Sequence, residues 1–504
     1  MTQIEGDTST VNTVEVLIVG AGPAGLTMAI ELARRGVSFR LIEKMPGPFF
    51  GSRGKGVQPR TQEIFDDMGI IDRIVAAGGT YPVMRTYQGD KYEETMIAPR
   101  RVPSTSEPYV NLCMVPQFRT EAIMRERLLE LGHAAEYSSE LIAFEQNESS
   151  IFASIKTSDV MNQVHARYLI GADGGRSFVR QCLGIELLGE SLNSRAIVAD
   201  VSTSQLTRDA WHRWIPRPDL SISLCPLAGM PAFQLQAGLA SGENPELTAD
   251  GLTSLIAART GRTDIKVEAV HWASTYMMSA RLAARYRAGR VFLVGDAAHV
   301  HPPTGGQGLN TSVQDSFNLA WKLAAVLRGT SETLLGSYEI ERRPVAAGML
   351  GLATRLLGEM MKDGSFKRGR ETQQLDLGYR ESPLSHMKPE AGAGPQPGDR
   401  APDARCKGAA GQVSRLFELY RGPHWTLLWF DDVVRDRSQL SRPGMRVHII
   451  GALGDIVDHE GDIAATYQHD PEELILIRPD GYVAARVPAA DMDELKRYLD
   501  SLGQ

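Results

Sequence analysis

Gly20-Ala21-Gly22-Pro23-Ala24-Gly25 stands between an apolar run over residues 14–19 and a stretch of helical composition over residues 23–35. Glycines at that spacing, entered from a strand and left into a helix, fold as the turn of a βαβ unit. Gly36 stops the helix, and a second apolar run over 38–42 ends at Glu43, 21 residues after Gly22. Gly20, Gly22 and Gly25 turn the chain tightly, let its backbone approach a pyrophosphate and let the helix pack closely on the sheet. The helix start, with Pro23 and Ala24, supplies free N–H groups and a partial positive charge to phosphates. Glu43, followed by Lys44, stands where a carboxylate accepts hydrogen bonds from a ribose diol. The pattern predicts a dinucleotide cofactor and does not separate FAD from NAD.

A second glycine-rich segment lies far downstream. An apolar run over residues 291–295 leads into Asp296-Ala297-Ala298-His299, Pro302-Pro303-Thr304-Gly305-Gly306-Gln307-Gly308-Leu309-Asn310, Asp315 and Asn318-Leu319-Ala320-Trp321-Lys322. Between the two segments, Gly171-Ala172-Asp173-Gly174-Gly175-Arg176-Ser177 precedes Arg180, and Gln117 follows Val115-Pro116. With these motifs in this order, the chain over roughly residues 14–390 resembles the single-component flavoprotein aromatic hydroxylases, the group that includes para-hydroxybenzoate hydroxylase, phenol hydroxylase and the polyketide-tailoring hydroxylases. The resemblance implies tightly but noncovalently bound FAD, with NADPH or NADH visiting transiently. It implies that Asp173 and Gly174 touch both flavin and nicotinamide nucleotide, that Gln117 lies near the flavin, and that Pro303, Gly305, Gly306, Gly308, Leu309 and Asn310 belong to the flavin cradle. Arg53 matches an arginine that related hydroxylases place beside the flavin, and it and Pro303 are the catalytic candidates.

Elementary chemistry agrees with that assignment. Asp296 at a strand end can hold ribityl hydroxyls, the 305–308 loop exposes backbone N–H groups, and a helix beginning near Asn310 aims its positive end at the N1 and C2 carbonyl edge of a flavin. A guanidinium at Arg53 can stabilise developing anionic charge or steer a nicotinamide. His299 and His301 flank Val300 without a carboxylate or cysteine cluster at ligand spacing, so no metal is expected. Arg60-Thr61-x-Glu63 reads as a helix start with local polar pairing.

With 54 basic and 61 acidic residues, a net charge of −7 and no basic block, the chain lacks the electrostatic footprint of a nucleic-acid binder. Cys113, Cys182, Cys225 and Cys406 form no CxxC pair, which fits a reducing cytoplasm and argues against disulfides or a zinc site. The apolar run over 16–30 is interrupted by three glycines and Pro23, so neither signal peptide nor membrane span is expected.

The fold class expected is α/β. Residues 1–13 read as a flexible tail. Residues 14–190 and 285–388 form a discontinuous Rossmann-type FAD domain, with parts of the substrate domain interleaved near 75–115. Residues 191–284, with alternating stretches at 196–201, 221–224, 233–239 and 265–272, form a largely antiparallel substrate domain. A Pro/Gly/Ala-rich linker over 389–402 leads to a last domain over 403–504, which resembles the thioredoxin-like domain of some of these hydroxylases. That domain keeps only Cys406, so a dithiol role is not expected; packing or oligomerisation, a homodimer included, is compatible with it.

One complete GxGxxG implies that the nicotinamide nucleotide has no Rossmann domain of its own. The resemblance then implies a cycle in which NAD(P)H reduces FAD, O2 adds at flavin C4a, and the C4a-hydroperoxyflavin hydroxylates a phenolic or polycyclic aromatic substrate. The protein positions the cofactor and excludes water. Trp211, Phe233 and Tyr276 are the substrate-pocket candidates, with His212, Trp214 and His271 nearby in sequence. The alternatives are an epoxidase or Baeyer-Villiger-type oxygenase on the same scaffold and, from another class, a noncatalytic FAD-binding module.

Overall fold

A computed structural model describes residues 12–158, 160–302, 304–363, 368–386, 393–433 and 436–502. Residues 1–11 of the expected tail lie outside them, and Asn12 and Thr13 already belong to the first strand, Asn12–Val19. Four sheets organise the described residues.

The first sheet sets the site. Its strands Asn12–Val19, Val160–Gly171 and Val291–Leu293 lie parallel and adjacent although they are far apart in sequence, with Val19 opposite Gly171 and Gly171 opposite Leu293. Phe39–Ile42 flanks Asn12–Val19, again parallel. These are near-continuous apolar runs because the sheet is covered on both faces: Val16, Leu17, Ile18, Leu169, Ile170, Phe292 and Leu293 have no exposed surface. The parallel register brings the three motifs, at Gly20, at Asp173 and at Asp296, out of the same carboxyl edge of the sheet, where open α/β folds bind ligands.

The second sheet has eight strands, in the order His299–Val300, Ala269–Ala283, Leu187–Ser202, Phe233–Leu239, Ile222–Pro226, Ala210–Trp214, Val83–Gln88 and Lys91–Thr95. It is antiparallel except where Ala210–Trp214 runs parallel to Val83–Gln88. The alternation over 265–272 does not mark a whole strand: the strand begins at Ala269, and the preceding helix Ala249–Thr260 is capped by Thr248, whose Oγ1 accepts from Gly251 N.

The helix Gly308–Leu327 packs against the helix Pro23–Arg34, and Gly336–Asp363 packs against Gly308–Leu327 and against Ala269–Ala283 of the second sheet, with its Tyr338 hydroxyl donating to Leu293 O of the first sheet at 2.7 Å. The last sheet is mixed: Trp425–Phe430 pairs parallel with Met445–Ile450 and antiparallel with Glu473–Ile477, which forms a hairpin with Val483–Pro488. The Met492–Ser501 helix packs on Val483–Pro488. Of the expected linker, residues 389–392 lie outside the described residues; beyond them Tyr379 N donates to Gly398 O and Ala401 N to Gly481 O.

This last part of the chain is tied to the first sheet's helices through buried charge. Arg478 donates to both oxygens of Glu341 at 2.7 and 2.9 Å and to Asp480 at 2.9 and 2.6 Å. Lys322 Nζ donates to Glu341 at 2.6 Å and to Asn318 Oδ1 at 2.9 Å, while Asn318 Nδ2 donates to Asp480 at 3.1 Å. Asp66 accepts from Arg415, Arg421 and Tyr109. The Arg60–Glu63 pair, read as local, exists at 2.7 Å, but Arg60 also donates to Asp480 O and Glu63 accepts from Arg400. Its purpose is therefore as much tertiary as local.

Candidate active site

Gly20 has φ +107°, a conformation that side chains rarely adopt, and a Cβ there would stand 2.3 Å from Ala172 O. At Gly25 a Cβ would stand 1.8 Å from Gly20 O, so this glycine lets the Pro23–Arg34 helix lie against the turn. Gly22 differs, because a Cβ there would meet nothing within 4 Å, and the same holds at Gly174. Space is thus kept open in front of the helix start, whose first N–H groups have no helical acceptor. Glu43 accepts from Ala21 N and Met45 N, both at 3.0 Å, which holds its carboxylate beside the turn; Lys44 is exposed.

From the second motif, Asp173 Oδ2 accepts from Val179 N at 3.0 Å, while its Oδ1 is buried without a hydrogen-bond partner. An orphaned carboxylate oxygen beside the Gly20 turn is the acceptor a cofactor hydroxyl would satisfy. Arg180 donates to Ala297 O at 2.9 Å and to Gly175 O at 3.0 Å, joining the second motif to the third.

In the third motif Asp296 alone is exposed, in a turn whose neighbours Gly295, Ala297 and Ala298 are buried. The cleft reaches its carboxylate, yet the protein crowding that opening pushes the carboxyl above its ordinary range, against the opposing pull of His299 and Arg53. Gly305 and Gly306 both take left-handed φ, +84° and +64°, and feed the Gly308–Leu327 helix, which starts two residues earlier than expected. Gly308, Leu309 and Asn310 are its first three residues, and their N–H groups are the free ones. The Asn310 side chain is not available to a cofactor, because Oδ1 accepts from Gln58 N at 2.8 Å and Nδ2 donates to Gly56 O and Gly306 O at 2.9 and 2.8 Å. Pro303 lies outside the described residues.

His299 is buried and pairs with Asp315 at 2.6 Å, which also accepts from Arg342 at 2.8 Å and Gly295 N at 3.1 Å. Burial raises the Asp315 carboxyl, but His299 and Arg342 outweigh it and hold the group ionised, below the usual carboxylate range. This cluster fixes the Asp296 turn to the Gly308–Leu327 helix. No group of metal ligands occurs among the described residues.

Arg53 is exposed, and its guanidinium lies over Phe49 and Trp272, 4.9 and 5.7 Å from the ring centroids. It is therefore an oriented side chain. The next residue, Gly54, donates its N–H to Gln117 Oε1 at 3.1 Å, and Gln117 Nε2 donates to Glu121 at 2.8 Å. Glu121, missed in the sequence reading although it stands one helical turn beyond Gln117, is buried, and burial raises its carboxyl to about 7. A group raised in the folded state contributes stability that is fully present below about pH 4.5 and is lost as pH rises through about 7. The melting temperature of the FAD-loaded protein should therefore fall across that interval. Glu121→Gln should flatten the fall by at least about 2 °C; equal slopes in a paired pH series would refute the assignment.

A separate cavity opens on the second sheet, lined by Trp211, Tyr276, Met84, Met278, Met360 and Arg213 among others. Burial lowers the Arg213 guanidinium to about 10. Of the three substrate candidates, Trp211 and Tyr276 line this cavity. Phe233 does not: it packs with Leu224, Leu235 and Trp214 in the core on the opposite face, because strand residues alternate and its neighbours Gln234 and Gln236 take the cavity side. His212 and Trp214 share that opposite face with Tyr87, and exposed His271 pairs with Ser202.

Residues 13–353 match the family described as "FAD binding domain", and residues 394–502 match "Aromatic-ring hydroxylase, C-terminal". The chain belongs to the FAD-binding aromatic-ring hydroxylases. Among curated relatives of this hydroxylase, a flavin-dependent monooxygenase of Mycobacteroides abscessus is 39% identical over 478 residues, covering 93% of this chain and 96% of that one. A 6-methylpretetramide 4-monooxygenase of Streptomyces rimosus is 32% identical, covering 97% and 93%. Among solved structures, aklavinone-11 hydroxylase with FAD and aklavinone superposes with a TM-score of 0.82 at 28% identity, covering 99% of this chain and 100% of that one. The hydroxylase is thus an FAD-dependent monooxygenase, and the residues present fit the cofactor: open space at Gly22 and Gly174, the orphaned Asp173 oxygen, the open Asp296 and the free helix start. Among the described residues no helix is long and apolar enough to cross a membrane.

Proposed function

We propose that this monooxygenase hydroxylates a phenolic or polycyclic aromatic substrate held in the Trp211–Tyr276 cavity, with NADPH or NADH as reductant. In this reading residues 14–190 and 285–388 hold FAD, 191–284 receive the substrate, and 403–504 brace the FAD-side helices. The observation that carries the reading is the cavity itself: an indole, a phenol ring and three methionine side chains give a flat, polarisable enclosure suited to fused rings.

FAD, when bound, supplies hydride acceptance and oxygen transfer. The chain's own residues do the rest. Glu43, Asp173 and Asp296 accept hydrogen bonds from the cofactor's hydroxyls, and the Gly308 helix start presents its N–H groups to the flavin's carbonyl edge. Arg53, with Phe49 and Trp272 behind it, places positive charge beside the reactive ring. Arg213 in the cavity wall favours a ring that bears or develops a negative oxygen, and a phenolate is the more reactive form of a phenol.

The deciding experiment is a panel of phenols and fused-ring phenols tested for stimulation of NAD(P)H and O2 consumption by the purified yellow protein. Stimulation with a product 16 mass units heavier, the oxygen on an aromatic carbon, is expected. Oxygen inserted into an alkene or beside a ketone would move the enzyme to the epoxidase or Baeyer-Villiger class.

A further inference from the structure

The loop over 51–55 is seated on a single row of the second sheet. Trp272, Asp200, Gln234 and Cys225 stand opposite one another on four adjacent strands, so their side chains leave the same face side by side. The loop meets this row residue by residue. A Cβ on Gly51 would stand 2.4 Å from the Trp272 ring, so only glycine lets the backbone lie that close. Ser52 donates its N–H to Asp200 Oδ2 at 2.9 Å and its hydroxyl to Asp200 Oδ1, and Gln234 Nε2 donates to Ser52 O and, at 3.0 Å, to Ser52 Oγ. Lys55 Nζ donates to Gln234 Oε1 at 2.6 Å and lies 4.0 Å from the centroid of Trp211, a wall of the cavity. Asp200 and Gln234 are almost wholly buried, at 1% and 0% exposure. Arg53 is the one member of the loop that turns outward.

Gln234 also connects this seat to the substrate side. Gln236, two residues along the same strand and therefore on the same face, lines the cavity and donates its Nε2 to Gln234 Oε1 at 2.9 Å. The one oxygen thus accepts from Lys55 on the loop and from Gln236 in the cavity wall.

We propose that Gln234, with Asp200, is the positioning residue of the Arg53 loop: it fixes where the guanidinium stands and makes that placement depend on the wall of the substrate cavity. This rests on the reading of Arg53 as the charge beside the reactive ring. Neither Gln234 nor Asp200 touches cofactor or substrate in this proposal; both act through Ser52 and Arg53.

Gln234→Met keeps the side chain's length and removes its amide. In the FAD-loaded full-length enzyme, amide exchange in a peptide spanning 49–57 should accelerate by roughly 10-fold or more, because the loop loses the donor to Ser52 O and Oγ and the acceptor of Lys55 that hold it on the sheet. FAD affinity should stay within about 3-fold, while turnover should fall by roughly 10- to 100-fold, part of the range for one misplaced electrostatic donor. On an Arg53→Ala background the same substitution should cost less than about 2-fold, since the residue it positions is gone. Should Gln234→Met not fold, Ser52→Ala removes the hydroxyl that joins Asp200 and Gln234 while leaving the backbone bonds, and should move exchange and turnover in the same directions by a smaller factor, with no further loss on the Arg53→Ala background. Unchanged exchange, wild-type turnover, or a full loss repeated on the Arg53→Ala background would each overturn the proposal. The hydroxylation reading fails on a different result, the absence of any phenol-stimulated NAD(P)H oxidation in the wild-type enzyme.

Discussion

Arg478→Met is expected to destabilise the folded protein by about 3 to 5 kcal/mol, the usual cost of removing one partner from a buried ion cluster. Arg478, Lys322 and Glu341 have no exposed side-chain surface and Asp480 has 1%, so water cannot replace what is lost. The wild-type cluster is neutral, two cations against two carboxylates. Without Arg478, Lys322 alone faces both Glu341 and Asp480. If the Gly308 helix start faces the flavin as proposed, the effect should reach the cofactor, because Asn318 and Lys322 sit on that helix and Arg342, next to Glu341, grips Asp315 on it. FAD should therefore dissociate at lower temperature than from the wild type. Adding Glu341→Gln to Arg478→Met restores charge balance and should recover part of the stability, a non-additivity diagnostic of a shared network. Thermal melts followed by flavin fluorescence check both points. A single variant within about 1 kcal/mol of wild type would mean that solvent reaches the cluster.

The cofactor motifs were legible because their requirement is local. Gly20 and Gly25 answer demands of backbone shape, Gly22 keeps space open between them, and Glu43 follows from the length of one βαβ unit. That Asp173 and Asp296 join them was available from the resemblance, while the cause is the parallel register of Val19, Gly171 and Leu293. The positions that failed depend on strand parity and on long-range pairing. The ring of Phe233 suggests a pocket, yet one residue of alternation turns it into the core and puts Gln234 and Gln236 on the face of the cavity that Gln236 lines. Asp200 and Gln234 were unremarkable polar residues until pairing set them opposite each other and under Ser52, some 150 and 180 residues away. Asn310 was placed correctly at the helix start, but its amide serves the 56–58 backbone, a contact across about 250 residues. The Ala249–Thr260 helix did have a local signal, Thr248 before it and Gly261 after it, and the alternation that follows obscured it.

The largest contrast expected in the molecule lies between two glycines three residues apart. Gly25→Ala puts a methyl group 1.8 Å from Gly20 O, and the atom it strikes is backbone, which cannot rotate away. The Pro23–Arg34 helix must then move off the turn, disturbing Leu26, Ala29 and Ile30, whose side chains lie in the main core. Loss of FAD and a protein melting well below wild type should come together, with a cost of the order of the 1 to 3 kcal/mol typical of overpacking, or more. Gly22→Val should separate the two effects. Gly22 has φ −78°, which any residue adopts, and nothing lies within 4 Å of its Cβ position, so the chain itself has no reason to object. The added branches instead fill the space in front of the helix start, where a pyrophosphate must touch backbone N–H groups. The expected Gly22→Val protein is folded, colourless and unable to take up FAD, with affinity reduced by about 1000-fold or more, equivalent to the loss of some 4 kcal/mol of contact. Circular dichroism of the stripped proteins and titration with FAD distinguish the cases. If Gly22→Val binds FAD as tightly as wild type, the open space at Gly22 is not where the phosphates lie, and the cofactor enters this sheet edge in another orientation.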